Sequence, residues 1–200
     1  MNRGRLIVFE GVDGSGKSTQ LRLLAEQLRQ SEIAHLVTGE PTDGPWGRKI
    51  RAMARSGELV APEEELRWFL EDRREHVAEV LRPGVAAGQI VLSDRYYLST
   101  VAYQGARGFD PQALLVQSEA ECPLPDLALI FEIDPEAGLA RLHARGGIAE
   151  PAFEDAEFLS RVAAVFRSID RPYLARIDAR GPIETVARAV RETVRERLAI

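Results

Sequence analysis

The stretch "FEGVDGSGKST" at 9–19 follows an apolar run and holds Lys17, one of only two lysines in a chain whose Lys and Arg total 26. Its spacing, Gly11, four residues, then Gly16-Lys17-Ser18, is that of a loop that wraps phosphate. Gly11, Gly14 and Gly16 allow the backbone to turn tightly enough for amide hydrogens to converge on one anion, and the helix that follows adds the positive end of its dipole. Asp13, Ser15 and Thr19 supply the polar remainder of that loop. Lys17 is placed to reach β and γ phosphates as a compact point charge, in a chain that otherwise uses arginine. Ser18 offers a hydroxyl to magnesium.

A second polar cluster, "SDRYYLSTVAYQG" at 93–105, directly follows the apolar "IVL". There Asp94 is placed to hold magnesium or its water, and Arg95 to grip a second phosphate at the edge where an open parallel sheet binds ligands. A phosphate loop alone serves kinases, GTPase switches and motor ATPases alike. A GTPase needs an Asn-Lys-x-Asp base-reading motif, which does not occur, and a motor ATPase usually needs more than 200 residues.

These residues need a frame. Strand-type runs recur at "RLIVFE", "AHLVT", "QIVLSD" and "LALIFEI", with a weaker one at "LARID", separated by segments of helical period. That alternation predicts an α/β fold with a parallel sheet covered on both faces. The segment 62–87 opens with "PEEE" and spaces Leu66, Phe69, Leu70, Val77, Val80 and Leu81 as a long amphipathic helix. After "EAGLARLHAR" the break "GGIAEP" predicts a small lid over about 141–155. The segment "PIETVARAVRETVRERLAI" closes the chain as a helix with proline in its first turn.

At 200 residues the expectation is one domain spanning 1–200. The net charge of −5 argues against nucleic acid as a partner. No segment reaches the roughly 20 apolar residues that span a bilayer, which argues against a membrane. The apolar run at the start is too short for a signal peptide, and the lone Cys122 suits a reducing compartment, so the expected location is cytoplasmic.

Taken with "EP" at 40–41, "FLEDRREHV", "PDLALIFE" and "FEIDPEAGLARLHARG", the two clusters resemble the bacterial thymidylate kinase family from end to end. The resemblance implies a P-loop NTPase-type three-layer fold with a five-stranded parallel sheet, and magnesium-dependent transfer of the γ-phosphoryl group of ATP to dTMP. A related kinase acting on another deoxynucleotide or deoxynucleoside, or a nucleotide-binding module without turnover, are the alternatives. By resemblance Phe69 stacks on thymine and Arg73 meets the base edge; residues at i and i+4 share a helix face. Asp13 and Gln104 belong to the acceptor site, Thr100 contacts the base, and Tyr103 packs where a ribose 2'-hydroxyl would lie. Arg95 and Arg51 meet the acceptor phosphate, with Arg48, Lys49 and Arg55 as competitors of Arg51, and Glu40 lies near the acceptor sugar and metal.

The phosphate loop here has no basic residue between Gly11 and Gly16, so the transfer arginine is expected in the lid: Arg145, with Arg141 beside the nucleotide. Relatives commonly have arginine before "EP" and "GGT" after it, where this chain has Gly39 and "TDGPWG". The resemblance further implies a homodimer through helices that include 63–87.

Overall fold

A strand can be apolar on both faces only when it is layered between helices. The runs "RLIVFE", "IVLSD" and "LALIFE" have that character, and in the computed structural model, which describes residues 3–58, 60–144 and 156–200, they form the centre of one sheet. The strands are β1 (Arg5–Glu10), β2 (His35–Gly39), β3 (Ile90–Asp94), β4 (Leu127–Glu132) and β5 (Leu174–Asp178). All pairings are parallel, in the order β2-β3-β1-β4-β5. The two outer strands are only half-buried, which explains why "LARID" reads weakly.

The chain leaves β1 for one edge and later crosses to the other side through β4, so β1 is the topological switch point. Register sets Phe9 against Asp94, and the loops after β1 and β3 therefore leave the sheet side by side. Helices α1 (Lys17–Gln30), α2 (Pro45–Ser56), α3 (Pro62–His76), α4 (Arg82–Ala86), α5 (Tyr97–Ala106), α6 (Pro111–Glu121), α7 (Pro135–Ala144), α8 (Ala156–Ser168) and α9 (Ile183–Leu198) flank it. One cluster of buried apolar side chains runs from Leu6 to Val194. The fold is the expected three-layer α/β arrangement with a five-stranded parallel sheet. The expected lid falls largely in 145–155, outside the described residues, and Arg145 lies there too.

The long helix departs from its sequence pattern. Among its expected apolar positions, Leu66, Phe69, Leu70 and Val80 are only half-buried, while Glu65, Asp72, Arg73 and His76 are buried. The inward face is charged because those groups pair with β2, with the segment that follows it and with α5, which removes the cost that keeps lone charges outside. A π-helical turn (Val77–Leu81) then joins α3 to α4. Pro83 has no N–H to give to the ladder, and Gly84 lets α4 lie against β3, where a Cβ would sit 2.8 Å from Val91 Cγ2.

Candidate active site

The loop after β1 ends at Gly16, whose φ of 94° lies in the left-handed region, and α1 begins with no side chain over its N-terminus and no acid in its first turn. That end is an uncovered positive pole. Gly14 is required for a different reason: a Cβ there would collide with the carbonyl of Gly138 on α7. The ammonium of Lys17 donates to Val12 O at 2.9 Å and is 3.9 Å from Asp13 Oδ1. Burial, then the neighbouring Arg95 charge, pull its pKa down to about 8 against the attraction of Asp13 and Asp94. Ser15 Oγ is buried in the same loop with no hydrogen-bond partner.

At the end of β3, Ser18 Oγ donates to Asp94 Oδ2, bringing together two oxygen donors from separate elements. Arg95 adopts φ 72°, a left-handed backbone that is strained for a residue with a side chain. Its N–H donates to Phe9 O at 2.9 Å, and its carbonyl accepts from Ser93 Oγ at 2.7 Å, which holds that turn to β1. The guanidinium then reaches Asp13 Oδ1 at 2.5 Å and Ser99 Oγ at 3.0 Å, and lies 5.2 Å from the centre of the Tyr103 ring. Tyr103 donates its hydroxyl proton to Asp13 Oδ2 at 3.1 Å.

Burial pushes the Asp13 carboxyl up, but the Arg95 and Lys17 charges outweigh it and hold the group below the ordinary carboxylate range. Behind this pair, Ser99 donates to Glu10 Oε2 at 2.5 Å, while Glu10 Oε1 has no partner. Burial raises Glu10 to about 7, with Ser99 and the nearby arginines opposing.

Beside Asp13 and Arg95 opens a pocket walled by Ile50 and Ala54 of α2, Phe69 of α3, and Thr100, Tyr103 and Gln104 of α5. Arg73 lies in its wall, donating to Glu40 Oε2 from Nε at 3.0 Å and from Nη2 at 2.5 Å, and to Thr100 Oγ1 at 2.9 Å. Its Nη1 is buried and has no partner. Gln104 is held by Glu65 through Nε2 at 2.9 Å, which leaves its buried Oε1 without a partner. Two residues that line the pocket thus hold one buried donor and one buried acceptor in reserve, a few polar groups among apolar walls, as in sites that orient a ligand.

Asp13 and Arg95 line this pocket and also the polar cleft that contains Lys17, Ser18 and Asp94. Two chambers therefore share one wall. Residues 9–190 match the family profile described as thymidylate kinase. The chain belongs to the thymidylate kinase family. It is 46% identical over 197 residues to a thymidylate kinase of Desulfotalea psychrophila, covering 98% of this chain and 97% of the relative. It is 44% identical to a thymidylate kinase of Akkermansia muciniphila, over 96% of this chain and 92% of the relative. A thymidylate kinase of Xylella fastidiosa is 42% identical over 98% of this chain and 90% of its own length.

Three of the expected residues make bonds within the protein that the sequence did not indicate. Glu40 turns both carboxylate oxygens toward α3, one to Arg73 and one to His76. Arg51 spends its donors on Pro41 O and Asp43 Oδ1, both at 2.6 Å, while lining the acceptor pocket. Arg141 donates to the carbonyls of Ala179 and Arg180 at 2.8 and 3.0 Å, bracing the loop between β5 and α9. The family departures also have a local logic. A Cβ at Gly39 would sit 2.9 Å from Asp94 O, and Thr42 of "TDGPWG" donates from N and Oγ1 to Asp72 at 2.8 and 2.6 Å.

Sequence reasoning missed Glu10, Glu65, Asp72, His76, Ser99 and Gly138. One had a signal in reach. Phe69, Arg73 and His76 follow the 4-then-3 spacing of one helix face, so His76 belongs beside the pocket from spacing alone. Gly138, two residues after an N-terminal Glu136, had none, since only the approach of the phosphate loop requires it.

Proposed function

We propose that this thymidylate kinase family member transfers the γ-phosphoryl group of ATP to dTMP, giving dTDP and ADP, in the supply of dTTP. The observation that carries this reading is the shared wall: Asp13 and Arg95 face both the phosphate-loop cleft and the ring-sized acceptor pocket. In transfer, an oxygen of the dTMP phosphate forms the new bond to γ-phosphorus while the bond to the β-phosphate oxygen breaks, leaving its electron pair on ADP. The attacking oxygen is already anionic, so the protein's part is positioning and charge neutralisation rather than proton removal.

In this reading the α1 N-terminus and loop amides of Gly11, Gly14, Ser15, Gly16, Ser18 and Thr19 hold the donor phosphates, and Lys17 leaves Val12 O for the β and γ oxygens. Arg95 bridges the two phosphates across the shared wall. Phe69 stacks on the base, Arg73 Nη1 and Gln104 Oε1 meet its polar edge beside Thr100, and Tyr103 occupies the space of a 2'-hydroxyl. Asp13 faces the sugar, Arg51 the acceptor phosphate, and Arg141 the nucleotide near the 179–180 carbonyls. Arg145 supplies the lid cation.

Ser18 and Asp94 form an all-oxygen donor pair at the mouth of the loop, the ligand chemistry that a hard divalent cation prefers, so these residues fit magnesium. Bound there, magnesium would neutralise the donor phosphates. The half-exposed Leu66 and Leu70 on α3 support a homodimer through that helix, which sedimentation at micromolar concentration would read as twice the chain mass. No helix among the described residues is long and apolar enough to cross a membrane. The nucleotide substrates and the single free cysteine support a cytoplasmic setting.

The deciding experiment is an ADP-release assay with a panel of dTMP, dUMP, UMP, dCMP and thymidine. Turnover fastest with dTMP is expected; a preference for thymidine or dCMP would move the chain to another acceptor.

A further inference from the structure

His76 is 2% exposed, and no step of the transfer uses it. Both ring nitrogens are nonetheless occupied. Nδ1 donates to Glu40 Oε1 at 2.9 Å, and Nε2 pairs with Thr38 Oγ1 at 2.7 Å. Glu40 is itself 8% exposed and holds Arg73 through its other oxygen. A chain of contacts thus runs from the edge strand β2 through His76 and Glu40 to Arg73 and on to Thr100 of α5.

The consequence lies at Arg73 Nη1, the buried guanidinium nitrogen left without a partner in a residue that lines the pocket. A guanidinium only donates. With Nε and Nη2 both fixed on Glu40, the planar group cannot rotate, and Nη1 presents its hydrogens in one direction. A ring carbonyl accepts that donor, whereas a ring amino group in the same place would set donor against donor and leave a buried charge unpaired. The selectivity then depends on how firmly Glu40 is held. One carboxylate oxygen shared by two guanidinium nitrogens leaves the carboxylate free to swing about its own axis, and the second oxygen, on His76, removes that freedom.

We infer that His76, anchored by Thr38, is a positioning residue that fixes Glu40 and through it the Arg73 donor, so that the acceptor pocket selects a pyrimidine bearing a carbonyl rather than an amino group at the ring position facing Arg73. This rests on the reading of the pocket as a dTMP site. His76 does not touch the substrate; it sets the angle of the group that does. Thr38 and His76 are 38 residues apart in the chain, so the anchor also ties α3 to the sheet one turn beyond Arg73.

The test compares dTMP with dCMP, which differ at this ring position, in the proton on the adjoining ring nitrogen and at the 5-methyl group, and with dUMP, which lacks only the methyl. His76→Leu keeps bulk and removes both contacts; His76→Asn keeps a donor near Nδ1; Thr38→Val removes only the hydroxyl. For His76→Leu the KM for dTMP should rise and the ratio of kcat/KM for dUMP over dCMP should fall, each by about tenfold, the scale of one charge-assisted hydrogen bond. The KM for ATP should stay within about twofold, since no donor-side group is in the chain of contacts. His76→Asn should restore part of the ratio, and Thr38→Val should lower it in the same direction by less.

An unchanged dUMP to dCMP ratio in folded His76→Leu overturns the inference, as does an equal rise in both KM values, which marks a general packing defect. Should His76→Leu fail to fold, Thr38→Val decides by the same ratio. A wild-type enzyme that fails to prefer dTMP in the acceptor panel would instead overturn the functional reading, before any variant is made.

Discussion

The two chambers of the cleft are built by opposite means. The donor side is mostly backbone: glycines at left-handed φ, an uncapped helix end, and a close approach of Gly14 to Gly138 that leaves no room for side chains. The acceptor side is mostly side chain, with buried carboxylates of Glu40 and Glu65 fixing Arg73 and Gln104 from behind. Backbone amides recognise any phosphate, so the donor side needs no further tailoring. A flat base must be told from similar bases, and that takes side-chain donors and acceptors aimed by second partners.

Breaking the donor side should have the largest effect. Lys17→Ala deletes the one ammonium of the phosphate loop, and kcat should fall by about 10³-fold or more while circular dichroism stays that of the wild type. Near-normal turnover in the folded variant would show that the backbone cradle works without it.

Next in size is Glu10, on the wall between the chambers. Its folded pKa of about 7 exceeds the usual 4.5, so folding favours the protonated form. That stabilisation is fully present below pH 4.5 and is lost as pH rises through about 7. Glu10→Gln cannot titrate and should flatten this part of the stability profile, by on the order of 3 kcal/mol between pH 4.5 and pH 8. Asp13 and Glu40, held below their ordinary range, lose their contributions only as pH falls beneath it, outside that window. Urea melts of wild type and variant at pH 5 and pH 8 would measure the difference; parallel profiles would mean that Glu10 stays ionised.

Arg145→Met should lower kcat by about 10²-fold with the KM for dTMP nearly unchanged, because a lid cation acts mainly in the transition state. Arg141→Met should instead raise the KM for ATP, since it braces the carbonyls of Ala179 and Arg180. If Arg141→Met alone loses kcat, the transfer cation is Arg141. The smallest effect sharpens the acceptor side: Phe69→Ala should weaken dTMP binding by about tenfold, the scale of one stacked ring, and leave ATP binding unaltered. Equal calorimetric losses for both ligands would make Phe69 a core residue.

The same contrast explains what was legible. The phosphate loop, the "SDRYY" turn and five strands could be read because each depends on neighbours within a dozen residues and on continuous apolar runs. The charged inward face of α3 could not. Its hydrophobic spacing pointed at Leu66 and Leu70, while Glu65, Asp72, Arg73 and His76 turned inward. Their partners, Gln104, Thr42, Glu40 and Thr38, are 30 to 39 residues away. Nothing local distinguishes a buried, compensated charge from a solvated one. Glu40 is the clearest case: it lies where the sequence suggests, at the end of β2, yet its bonds go to α3.

The π-helical turn after α3 has a consequence for the way this helix can change length. Burial falls at Glu65, Asp72, Arg73 and His76 and runs on through Val77, Leu81 and Gly84, so one face stays inward across the wide turn. The turn carries that face from the charges of α3 to the place where α4 lays Gly84 on Val91. Deleting a single residue from a helix whose two ends are both fixed would swing everything beyond it by about 100°, one residue's share of a helical turn. Leu81 would leave the core and a side chain would take the seat of Gly84. A loop absorbs such a deletion by slackening or tightening. Here the length of the helix is itself part of the alignment between the pocket and the sheet.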